Sequence, residues 1–78
     1  MEKARHSEQY ANFLAALRQA RKNAGLTQTE VAGHFGSHAS FVSKCETGER
    51  RVDVVELAAF CRLYGVHISS FLKSAGLD

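Results

Sequence analysis

Apolar residues along this chain recur at three- and four-residue spacings, and no run of β-branched residues alternates as a strand would. That period belongs to amphipathic helices, whose apolar side chains share one face. Tyr10, Phe13, Leu14, Leu17 and Ala24 form the first such face and predict a helix from about Ser7 to Asn23. Gly25 is placed to stop it in a left-handed conformation, with Leu26 tucked back underneath. A second helix opens with a Thr27–Glu30 capping box, turns Val31, Ala32 and Phe35 inward, and ends before Gly36. A third, capped by Ser37 or His38, runs from about Ala39 to Glu46 and is closed by Gly48. Its Val42 and Cys45 face in, while Ser40, Ser43 and Lys44 face out. Asp53 and Glu56 form a second capping box for a fourth helix that reaches about Tyr64 and stops at Gly65. Val54, Leu57, Ala58, Phe60, Cys61 and Tyr64 cover more than one stripe of that helix, the pattern of a central core element. A short fifth helix, from about Ser69 to Ser74, buries Phe71 and Leu72. The prediction is an all-α fold of five helices in one domain.

Within this series the segment Thr27–Gly48, TQTEVAGHFGSHASFVSKCETG, is the most informative. Two short helices that cross steeply need a small side chain at the crossing, supplied by Ala32, and a plug between them, supplied by Val42. The turn between them favours a residue that accepts positive φ, supplied by Gly36. This is the form of a helix-turn-helix, a unit that places its second helix in the major groove of DNA.

Composition narrows the reading without redirecting it. At 78 residues the chain holds one small core, with no room for a separate effector domain or a large cleft. The net charge of +2 permits nucleic-acid binding without demanding it. No apolar run approaches membrane-spanning length, and no hydrophobic stretch follows the charged start MEKARHSEQY, so neither a membrane anchor nor a signal peptide is expected. Cys45 and Cys61 lie on apolar stripes and read as reduced core thiols of a cytoplasmic protein. His6, His34, His38 and His67 show no zinc-like spacing, so no metal or other cofactor is expected. No nucleophile–base pair, metal set or phosphate loop points to an enzyme.

From about Leu14 to Leu72 the chain resembles the Xre, or Cro/phage-repressor, type of helix-turn-helix domain. The resemblance is carried by LRQARKNAGLTQTEVA, then GSHASFVSKCETGERR, then DVVELAAFCRLYGV, in the family's order and spacing. It implies a lambda-repressor-like five-helix bundle over residues 9–75, preceded by an arm or helix extension over residues 1–8. By the same resemblance Gln28 bonds phosphate and braces the recognition helix, while Arg21 and Glu46 form a structural salt bridge between the first and third helices. Ala39, Ser40 and Lys44 occupy the base-reading positions. Ala39 offers only a methyl, where many relatives carry a glutamine; Ser40 discriminates weakly, and Lys44 donates to guanine O6 and N7. Phe41, in the place of a frequent tyrosine, either packs on the sugar-phosphate backbone or covers the core edge. His38, Ser43, Thr47, Arg50 and Arg51 are the remaining phosphate candidates.

The function implied is a transcriptional regulator, most naturally a repressor, acting as a homodimer on double-stranded DNA. Its expected dimer surface comprises Ile68, Phe71, Leu72 and Leu77. The alternative is a protein-interaction module, antitoxin-like or an adaptor, that keeps the fold without specific DNA binding and pairs with a toxin or another regulatory protein.

Overall fold

The computed structural model describes residues 2–78, with side chains described from Glu8 onward. Most of the expected 1–8 arm therefore lies outside the described side chains. Five helices follow in order: α1 (Glu2–Asn23), α2 (Gln28–His34), α3 (Ala39–Thr47), α4 (Val54–Tyr64) and α5 (Ile68–Ser74). The bounds match the sequence reading to within a residue or two except at α1, which begins at Glu2 rather than near Ser7.

Local chemistry accounts for most of the helix ends. The Thr27 hydroxyl accepts from the Glu30 N–H at 3.1 Å, and the Glu30 carboxylate accepts from the Thr27 N–H at 2.8 Å. Asp53 and Glu56 repeat the arrangement at α4, with bonds of 2.8 and 3.0 Å. Each box satisfies N–H groups that a helix start leaves without partners. At the α2–α3 turn Gly36 adopts φ +63°, and the Ser37 N–H reaches back to the Ala32 carbonyl at 2.9 Å. That left-handed step costs a β-carbon-bearing residue about 1–2 kcal/mol, so glycine is the natural occupant.

All five helices contribute to the core. Leu17, Val31, Val42 and Cys45 are fully buried, with Phe13, Phe60, Cys61, Tyr64 and Phe71 packed around them. Ala32 and Val42 are both buried at the α2–α3 crossing, as the small-residue argument requires. Cys45 and Cys61 are free thiols in this core, and burial pushes both above the ordinary thiol range. Tyr64 is raised for the same reason, and its hydroxyl is buried without a hydrogen-bond partner.

Two placements correct the sequence reading. Val54 is 71% exposed rather than inward-facing, because the core side of the first turn of α4 belongs to Leu57. Phe71, expected on the dimer surface, is 3% exposed and sits edge-on to Phe13, 5.7 Å between ring centroids. Its area is spent inside the monomer. Among the described residues no single helix is long and apolar enough to cross a membrane.

Leu17→Ala should lower unfolding free energy by about 2–5 kcal/mol, the range for emptying a fully buried leucine site. Leu77→Ala, at a 37% exposed position, should cost far less. Urea denaturation of both variants checks the contrast.

Candidate nucleic-acid interface

Helix α3 is the element on which the candidate site depends, and a buried carboxylate fixes its orientation. Glu46, in the last turn of α3, accepts from Arg21 Nε at 2.6 Å and from Arg21 Nη2 at 3.2 Å. It also accepts from Gln28 Nε2 at 3.1 Å. Arg21 Nη1 donates to the Leu26 carbonyl at 2.9 Å, so the same guanidinium pins the α1–α2 turn. One carboxylate thus joins α1, α2 and α3. Arg21 and Glu46 are nearly buried, and the hydrogen bond to Glu46 raises the Arg21 guanidinium above its ordinary value despite opposing desolvation.

The outward face of α3 is sparse. Ser40 and Lys44 are exposed, Ala39 and Ser43 are half-buried, and His38 is an exposed N-cap whose side chain makes no capping bond. Among the described residues Lys44 has no ion-pair partner. The Thr47 hydroxyl donates to the Lys44 carbonyl at 3.3 Å and stays at the surface. A Gln amide nitrogen carries two hydrogens, so Gln28 keeps one free while bonded to Glu46.

Two phosphate candidates are engaged elsewhere. Arg50 forms a two-point ion pair with Glu56, Nη2 to Oε2 at 2.8 Å and Nη1 to Oε1 at 3.0 Å. Its Cζ lies 5.0 Å from the centroid of the Phe41 ring. Phe41 in turn stacks on Phe60 at 6.4 Å and meets Phe35 edge-on at 6.0 Å. Arg50 and Phe41 therefore interact with each other and with α4, and Phe41 takes the core-edge place that was one of its two expected roles. Sequence reasoning missed Glu56 as the partner of Arg50, and Tyr10, whose ring lies 4.5 Å beneath the Arg51 guanidinium. The Asp53–Glu56 box was a partial signal, since a carboxylate held at that cap has a second oxygen to offer.

Residues 12–69 match the family model of a helix-turn-helix domain. A solved structure, an XRE-family like protein from Pseudomonas syringae pv. tomato str. DC3000, superposes with a TM-score of 0.88 at 41% identity, covering 96% of this chain and 92% of that one. The chain belongs to the Xre helix-turn-helix family. No curated protein matches it. Membership makes this Xre-type domain a DNA-binding regulator in general terms, and α3 is the second helix of its helix-turn-helix.

The Arg50 hydrogen bond, followed by the Asp53 N–H, holds the Glu56 carboxyl below its usual range. A depressed carboxylate contributes stability above its unfolded pKa of about 4.3, and that contribution is lost as pH falls through the folded value. Glu56→Gln should therefore be less stable than the parent Xre-type domain at pH 7. The gap should close as the solution is acidified below about pH 4, because Gln retains the capping acceptor and lacks only the charge. Thermal melts across pH measure it.

Proposed function

We propose that this domain is a sequence-specific transcriptional regulator, a repressor that acts in the cytoplasm by occupying its operator as a homodimer. The observation that carries this reading is the three-way tie at Glu46, which holds the exposed Ser40–Lys44 face of α3 at a fixed angle to the rest of the domain. A recognition helix reads bases only when its approach is set, and contacts to phosphates set it.

In this reading Lys44 donates to guanine, Ser40 contributes a weak polar contact, and Ala39 meets a thymine methyl. Gln28, with its remaining N–H, contacts phosphate together with His38, Ser43, Thr47 and Arg51. With so thin a base-reading face, much of the selectivity comes from DNA shape and deformability. A single domain this small covers few base pairs, and a two-fold dimer doubles the contact. The exposed Ile68 and Leu77, with the half-buried Leu72 between them in sequence, support a dimer surface on α5 and the residues that follow it. An isologous contact would set two recognition helices about 34–36 Å apart in successive major grooves.

Selection of duplexes from a random pool tests this directly. The expected outcome is a near-palindromic site with half-sites about one helical turn apart. Lys44→Ala should lose about 1–3 kcal/mol of discrimination at one position of each half-site and leave the others unchanged. A pool that yields no enriched sequence would remove the reading.

A further inference from the structure

The loop from Gly48 to Asp53, which leaves the recognition helix, is pinned on both sides, and its two adjacent arginines are held in opposite ways. On one side Arg50 gives two N–H groups to the Glu56 carboxylate and a further contact of 3.2 Å to the Arg51 carbonyl, and it rests over Phe41. Its charge is matched by a carboxylate, which would also repel an approaching phosphate. On the other side Tyr10, from α1, accepts the Val52 N–H on its hydroxyl at 3.1 Å, fixing its ring against the loop. Arg51 lies over that ring at 4.5 Å. Among the described residues its guanidinium makes no hydrogen bond and no ion pair. A cation–π contact orients a guanidinium through its face and leaves the N–H edge unspent. The edge that remains is the fork that takes two oxygens of a phosphodiester.

We propose that the two arginines divide the work of docking. Arg51, shelved on Tyr10, takes a backbone phosphate of the DNA, and Arg50 is a positioning residue that locks the end of the recognition helix to α4. This rests on the DNA-binding reading above and adds Tyr10 to the interface. Arg51 is presented in a fixed orientation before DNA arrives, because the hydroxyl bond to Val52 holds shelf and loop in one register. Arg50, with its charge already matched, releases no counterion on binding.

The test is the salt dependence of affinity for a duplex selected from a random pool, with melting temperature recorded for each variant. Arg51→Gln should weaken binding to matched and mismatched duplexes alike and reduce the slope of log affinity against log salt by about 0.9 per domain bound, with the melting temperature unchanged. Arg51→Lys should restore the slope. Arg50→Gln should lower the melting temperature and leave the slope intact, and Arg50→Lys should not restore stability, since an ammonium cannot make the two-point bond. Tyr10→Leu should weaken binding when Arg51 is present and have a much smaller effect once Arg51 is Gln. A slope that falls with Arg50→Gln, or one that does not fall with Arg51→Gln, overturns the division of roles while DNA binding itself stands. Parent protein that binds no duplex fails the underlying reading first, before any variant is compared.

Discussion

The carboxylate of Glu46 is the constraint on which the rest of this domain depends. It is shared by Arg21 and Gln28, so three helices are referenced to one point near the end of α3. A buried ion pair is a poor source of stability, because desolvating each charge costs several kcal/mol that the attraction barely returns. Its value is directional. Apolar packing of Leu17, Val31 and Val42 tolerates small rotations of one helix against another, whereas a two-point guanidinium–carboxylate bond does not. The domain thus separates two roles, with cohesion left to the core and the angle of the recognition helix set by the polar tie.

The features legible in the sequence were those determined over a few residues. Capping boxes at Thr27 and Asp53, the glycine stop at Gly36, and the Ala32–Val42 crossing all follow from spacing within one turn or one loop. The Arg21–Glu46 pair was reached only through family resemblance, since a separation of 25 residues carries no periodic signal. What remained hidden is equally physical. Tyr10 and Val52 meet across 42 residues, and Arg50 reaches Glu56 from a loop, where no helical spacing relates the two. Val54 was misplaced, and Phe71 was read both as core and as dimer surface, because an apolar side chain on a short helix looks the same whether it faces its own core, a partner or water.

The second tie to α3 is aromatic. Phe35, Phe41 and Phe60 meet at centroid distances of 4.9 to 6.4 Å, bringing together the end of α2, the middle of α3 and α4. Arg50 covers this cluster and is itself held by the capping box of α4. The recognition helix is therefore held near Glu46 by charge and near Phe41 by packing, and a helix held at two points along its length cannot pivot about either. A pivoting helix would tolerate a range of groove widths; a fixed one accepts only DNA whose shape already suits it.

That rigidity bears on how so bare a surface could select a sequence. Ala39, Ser40 and Lys44 offer few donors and acceptors, and direct readout scales with the number of well-made contacts. A rigid frame supplies discrimination by another route, because a duplex that must bend or narrow to reach fixed phosphate contacts incurs a deformation cost that depends on its sequence. The stiffer the frame, the less of that cost is absorbed by the protein and the more appears as a difference between sites. If α3 reads DNA as proposed, the polar tie at Glu46 and the aromatic tie at Phe41 belong to the chemistry of recognition as much as the residues on its outward face do.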